Sequence, residues 1–322
     1  MRGGRIMLAL MWLAGAATPA LAQGRVSIAP EYSPIIQLPN QHQGRSQSRD
    51  ALADAVTFVS FIDNALPRTQ ARMFFDSGTR VRRPGRAEYF QPTGGLPGSL
   101  GPPLPETSID YQDLRTYGEV AVLPRFSTFI NTGFRWVNPD VNRNDGGFGD
   151  MDLGIKLAML SLSDLLLTFQ LRAYVPSASS SALGTEHFSF EPALLVNYQV
   201  LPFLTLEGEG RFWAPVGGGD FAGNVTRYGL GVSYRQPSDR QFWIAPVAEA
   251  IGWTVLSGQA MAVTPSGTYS VEDATGTTIF NMFGGLRVGW GDRASFYAGY
   301  GRALTGPTWY KDLWRLELRF FF

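Results

Sequence analysis

The chain has 322 residues, no cysteine, and 27 basic against 27 acidic residues. A balanced charge supplies no basic face for nucleic acid, and the absence of cysteine excludes a disulfide scaffold. After the first 22 residues no stretch approaches the ~20 consecutive apolar residues that a spanning helix needs, which excludes a helical membrane protein.

The N-terminus carries Arg2 and Arg5, an apolar run from Ile6 to Ala17, and Ala20-Leu21-Ala22 before Gln23. A charged start, a short apolar core and an A-x-A site predict a signal peptide over 1–22, cleaved near Ala22, and export from the cytoplasm. Residues 23–67 contain Pro30, Pro34, Pro39 and a Gln/Ser/Arg-rich run, poor material for helix or sheet. This part reads as a periplasmic N-terminal leader, with a plug entering the following domain as the sharper alternative. Residues 68–322 form the third unit.

From Arg68 onward the pattern predicts twelve strands, at 69–79, 111–122, 125–137, 149–160, 164–175, 187–200, 202–214, 222–235, 241–254, 277–290, 293–302 and 311–322. Most are near the ~9–11 residues of a tilted transmembrane strand, and the count is even, as single-chain bacterial barrels require. Their connections alternate between short turns, such as Leu123-Pro124 and Gly291-Asp292, and longer links, such as 80–110 and 255–276. The chain therefore reads as all-β: a transmembrane antiparallel up-and-down β-barrel with short periplasmic turns and longer extracellular loops. Gly, at 37 residues, and aromatics, at 13%, suit close strand packing and two membrane interfaces.

Within strands, side chains alternate between two faces. In 149–160, Met151, Leu153, Ile155 and Leu157 oppose Asp152 and Lys156; in 164–175, Leu165, Leu167, Phe169 and Leu171 oppose Thr168, Gln170 and Arg172. Lipid cannot satisfy a charge cheaply, so the charged face is the lumen. This assigns Arg115, Glu119, Arg135, Lys156, Arg172, Glu191, Glu207, Glu209, Arg211, Arg227, Arg287, Arg315, Glu317 and Arg319 to a pore lining in which both signs interleave. Placing Glu249 inward also turns Val247, Ile251 and Trp253 inward, so that strand has either a bulge or an apolar lumen patch. A barrel of about 12 strands lies between filled eight-stranded barrels and aqueous 16- to 18-stranded ones, which predicts a pore narrowed by side chains or by an infolded loop, 80–110 being the candidate.

Catalysis has little to stand on. His187 and Ser189 share a strand face without a surrounding motif, and the other histidine, His42, lies in the leader. Asp140 to Gly146 has approximate calcium-loop spacing, but Met151 stands where the bidentate Glu belongs, so it reads as a turn-rich loop. The reading includes no cofactor and no metal.

Two resemblances sharpen it. The last strand sets Trp314, Leu316, Leu318, Phe320 and Phe322 against Arg315, Glu317 and Arg319. It resembles the C-terminal signal that the barrel-assembly machinery of the outer membrane recognises, which implies that machinery and outer-membrane lipid as partners. Gly147-Phe148-Gly149-Asp150-Met151-Asp152-Leu153-Gly154-Ile155-Lys156 resembles the G-x-G-D-x-x-L-G-x-K segment of the outer-membrane barrel family named for the meta-pathway of phenol degradation. That resemblance, over residues 120–322, implies a porin-like channel for small, perhaps aromatic, solutes, and places Asp150 and Lys156 in the lumen. The expectation is passive diffusion of small solutes across the outer membrane. A sealed structural or surface-binding barrel is the alternative, and an outer-membrane hydrolase the more distant one.

Overall fold

A computed structural model describes residues 57–81, 108–236, 241–263, 269–305 and 310–322. The expected signal peptide (1–22), residues 23–56 and nearly all of the expected 80–110 loop lie outside the described residues.

Twelve strands form the wall: β1 (Gln70–Val81), β2 (Ile109–Leu123), β3 (Phe126–Pro139), β5 (Met151–Ser161), β6 (Leu165–Val175), β7 (Phe188–Leu201), β8 (Leu204–Val216), β9 (Val225–Tyr234), β10 (Phe242–Val255), β13 (Thr278–Trp290), β14 (Ala294–Ala303) and β15 (Asp312–Phe321). Each pairs antiparallel with its chain neighbour, and β1 pairs with β15 from Gln70↔Phe321 to Thr79↔Asp312, which closes the ring. Closure leaves no strand edge unpaired, the requirement for crossing a bilayer with strands. Both the start of β1 and the end of β15 lie at the end where turns are short, hereafter the turn end; the opposite end is the loop end.

The expected alternation is present throughout. On β5, Leu153, Ile155 and Leu157 are exposed while Asp152, Lys156 and Ala158 are buried. On β15, Trp314, Leu316, Leu318 and Phe320 point outward, and Leu313, Glu317 and Arg319 inward. Exposed aromatics ring the outer surface at both ends. Phe203, Tyr234, Phe242 and Trp290 stand at the turn end, and Trp136, Phe148, Phe188 and Trp314 toward the loop end, as in the two aromatic girdles of barrels in lipid.

The structure differs from expectation in three places. The strand expected at 149–160 is present as β5, but the link expected at 138–148 carries an additional short strand, β4 (Asp145–Phe148), which like β5 pairs with β3. Between them Asp150, at the edge of the loop-end cavity, accepts hydrogen bonds from the backbone N–H groups of Ser177, Ala178 and Thr185 and from Thr185 Oγ1, pinning the loop after β6. The link at 255–276 carries a separate hairpin, β11 (Gln259–Val263) with β12 (Tyr269–Asp273). β10 keeps unbroken register with both neighbours, so the apolar lumen patch, not a bulge, resolves the Glu249 ambiguity.

Glycine has a structural task inside. A Cβ on Gly154 would stand 2.5 Å from Phe129 Cζ, and one on Gly285 or Gly299 would stand 2.3 Å from the Tyr297 hydroxyl. Bare backbone lets these rings lie flat against the wall.

Candidate functional site: the lumen

The turn-end half of the lumen is occupied by residues 57–66. They form neither helix nor strand, and a buried backbone without a ladder must find partners elsewhere. Three wall carboxylates receive its N–H groups. Glu207 accepts from Phe58 (3.0 Å), Val59 (3.2 Å) and the Thr57 hydroxyl (2.6 Å). Glu249 accepts from Ser60, Phe61 and Ile62 at 2.9–3.0 Å, and Glu209 from Asp63 at 3.0 Å.

Wall cations meet the carbonyls. Arg287 Nε donates to Phe58 O (2.6 Å), Arg287 and Arg319 both to Val59 O (3.1 and 2.9 Å), Arg315 to Ser60 O (2.7 Å) and Arg227 to Phe61 O (2.5 Å). Thr168 Oγ1 donates to Ala65 O at 2.6 Å. Charge-assisted bonds of this kind are about twice as strong as neutral ones. Because Glu207, Arg287 and Arg319 stand near the turn end, Glu249 near mid-wall, Arg227 and Arg315 toward the loop end, and Thr168 near the turn end again, the segment is an arch with its apex at Phe61 to Asp63.

Its side chains fit the wall as closely as its backbone. Phe61 stacks on Phe283 at 3.9 Å between centroids, with the Arg315 guanidinium 3.9 Å above the ring. Phe58 meets Trp243 edge-on at 5.3 Å. Val247, Ile251 and Trp253, the inward apolar patch of β10, join Phe58, Val59, Phe61 and Ile62 in one buried cluster. Facing Val59 and Ile62 on β9 are two glycines. A Cβ on Gly231 would lie 2.5 Å from Val59 Cγ1, and one on Gly229 3.1 Å from Ile62 Cγ1.

All fourteen sequence-assigned charges face the interior, and each has a charged or backbone partner. Glu317 gathers Arg72 (2.7 Å), Arg319 (2.8 Å) and Arg287 (3.0 Å), with Ser60 Oγ at 2.7 Å. Glu119 holds Lys156 (3.0 Å) together with Gln70, Tyr117 and Ser127. A chain runs from Arg227 to Glu209 (2.9 Å), to Arg211 (2.5 Å) and to Glu191 (3.1 Å). Arg211 also pairs with Asp63 (2.7 Å), which binds Arg172 as well. Toward the loop end stand Arg115 with Asp152 (3.2 Å), Arg135 with Asp113 (2.7 Å) and Arg315 with Asp76 (2.6 Å). Glu207 is given over to the arch.

Sequence reasoning left Asp63, Arg72, Asp76 and Asp113 out of this set. Arg72, Asp76 and Asp113 were legible in principle, since each falls on the inward register of β1 or β2. Asp63 has no strand period to betray it. Burial alone would push the Asp63 carboxyl up, but Arg172, Arg211 and Lys156, with a hydrogen bond from Gln170, hold it well below the usual carboxylate range.

Above the arch the loop-end half encloses a cavity of about 260 Å³ whose floor is Phe61. Its wall combines aromatic rings with guanidinium groups, and the loop after β6 contributes Leu183, Gly184 and Thr185. His187 Nδ1 lies 3.3 Å from Ser189 Oγ but also 3.0 Å from Phe188 O. A carbonyl acceptor fixes a proton on Nδ1, which then cannot take one from the serine. His187 Nε2 has no hydrogen-bond partner among the described residues, so no carboxylate orients the ring. This geometry does not make a nucleophile and its base.

No protein-family model and no curated protein matches the chain. Among solved structures the fold matches the COG4313 outer membrane channel from Pseudomonas putida F1, at 13% identity and a TM-score of 0.52, over 83% of this chain and 100% of that one. The NanC porin is matched at 10% identity and a TM-score of 0.46 over 79% and 100%, and the KdgM porin at 10% and 0.41 over 78% and 99%. The first of these similarities supports the closed barrel fold; at such identities none carries a function.

Proposed function

We propose that the chain is an outer-membrane channel for small solutes, aromatic and other small organic compounds among them, whose turn-end half is closed by its own residues 57–66. The turn end is periplasmic and the loop end extracellular, and the mature chain begins near Gln23 after the signal peptide is removed. The observation that carries the reading is how the arch is held. Every bond from its backbone to the wall goes to a wall side chain and none to a sheet ladder, so the arch can leave while the barrel stays closed. In this reading the fourteen wall charges, with Arg72 and Asp76, form the pore lining, and the apolar outer face meets lipid.

A second reading, a sealed barrel without transport, draws on the same ion pairs, which fill the interior as structural salt bridges would. Single-channel conductance in planar bilayers separates the two. The mature protein is expected to show small or intermittent currents, and a form lacking residues 23–66 steady currents several-fold larger. Absence of current from both forms would establish the sealed barrel instead.

Asp63 makes the closure dependent on pH. Its carboxyl is depressed in the docked state from an ordinary value of 3.8, so its contribution to docking is complete above that pH and is lost progressively as pH falls from there toward the docked value. Conductance is expected to hold level from pH 7 to about 4.5 and to rise below about 4. Asp63→Asn should already be raised at pH 7 and show a smaller acid response. A level profile down to pH 3 would show that this carboxylate does not latch the arch.

A further inference from the structure

The loop-end cavity is built for a narrower class of molecule than the channel reading requires. Its volume, about 260 Å³, falls below the ~300–1,000 Å³ of sites for drug-sized ligands, which limits an occupant to roughly one ring and its substituents. Phe61, Phe74, Tyr111, Trp213, Trp253 and Tyr310 line it. Four of these rings already carry a guanidinium: Phe61 and Phe74 under Arg315 at 3.9 and 4.7 Å, Tyr111 under Arg135 at 5.2 Å and Trp253 under Arg227 at 5.5 Å. The wall therefore presents flat apolar faces and flat cationic faces side by side, a surface complementary to a planar ring.

Three of the ion pairs are turned so that their positive members meet the cavity, whereas Arg315 and Asp76 share it evenly at 11% and 9% exposure. The side chains of Arg115, Arg135 and Arg227 are 20%, 17% and 16% exposed, whereas their partners Asp152, Asp113 and Glu209 are 2%, 8% and 0% exposed. A carboxylate occupies at most part of the five-donor guanidinium fork, so Arg115 and Arg227 keep donors for the cavity side. Asp150, also in the lining, is spent on the backbone of the loop after β6, and Asp76 is bound by Arg315. On the side of Arg115, Arg135 and Arg227 an entering molecule meets the cation before its anion.

We propose that this half of the lumen is a binding site for a single-ring organic anion, the ring seated against Tyr111 and Trp253 with Phe61 as the floor beneath and the acidic group on the guanidinium groups of Arg115 and Arg227. The site rests on the channel reading for its biological use, but its occupancy is measured without transport. The probe is benzoate, titrated against the mature protein in detergent by isothermal calorimetry and by the emission of Trp213 and Trp253. Benzoate is expected to bind saturably and at least tenfold more tightly than benzyl alcohol or benzylamine, and several-fold more tightly than the ringless anion propionate. Arg115→Gln, which touches neither the arch nor these rings, should weaken benzoate several-fold and leave benzyl alcohol far less affected.

Saturable benzoate binding no tighter than that of the alcohol or the amine overturns the anion assignment, and equal binding of propionate overturns the ring. No saturable benzoate binding overturns the site, and the ligand series on the unaltered protein decides this even if a variant fails to fold. Binding failure in a protein that conducts strikes this inference alone; binding without conductance strikes the channel reading alone.

Discussion

Replacing Glu317 by Gln is expected to cost the folded barrel about 3–5 kcal/mol, the range for removing one partner of a buried ion pair. The site is more demanding than a pair. One fully buried carboxylate neutralises Arg72, Arg287 and Arg319, all within 3.0 Å of its oxygens, and also accepts from Ser60 of the arch. Gln keeps the shape and a carbonyl acceptor, but it leaves three guanidinium groups repelling one another at low dielectric. The measurement is the urea midpoint of the folded protein in detergent, followed by tryptophan emission. Glu272→Gln, on the exposed β12, is the control and should shift stability by less than about 0.5 kcal/mol. A Glu317→Gln shift no larger than the control's would mean that water reaches this cluster and screens it.

The second large effect is steric. Gly231→Leu should drive the arch out of the lumen while sparing the wall, because the new Cβ would already stand 2.5 Å from Val59 Cγ1 before its branch is added. The backbone of Gly231 sits in register with Glu207 on one side and Glu249 on the other, and a leucine can occupy that ladder. Overpacking of this size costs roughly 1–3 kcal/mol when the surroundings are rigid; here the loosest neighbour is the arch, so it yields first. Conductance of Gly231→Leu is expected to approach that of the form lacking residues 23–66, and adding Val59→Gly should restore closure in part. Unaltered currents in Gly231→Leu would show that the wall bends and the arch stays.

The wall was legible because two physical signals repeat in it. A period of two, set by oil outside and charge inside, located all twelve ring strands to within about three residues, and the alternation of short and long connections oriented them. What escaped was held by long-range contacts. Thr57-Phe58-Val59-Ser60-Phe61-Ile62 is nearly continuous apolar sequence with no periodicity, and its hydrogen-bond partners lie on strands far along the chain. Composition allowed a plug within 23–67 only as an alternative to a leader, and the one trace of where it sits was indirect: the unexplained inward turn of Val247, Ile251 and Trp253 is the footprint of Phe58, Phe61 and Ile62. A lumen wall that is oily where lipid cannot reach it implies something oily inside. Asp150 escaped for a related reason, since its partners Ser177, Ala178 and Thr185 belong to a loop without a pattern of its own.

The arch also bears on how the molecule comes to be assembled. Val59 and Arg319 are 260 positions apart, and Ser60 and Glu317 257, so these bonds cannot exist until nearly the whole polypeptide is in place. Loop-closure entropy therefore makes them among the last contacts to form. The same is true of the seam between β1 and β15, and only three residues separate the arch from β1. Seating the arch and zipping the seam are thus neighbouring late events, and the first described residues of the chain act as the keystone around which its last strand is set.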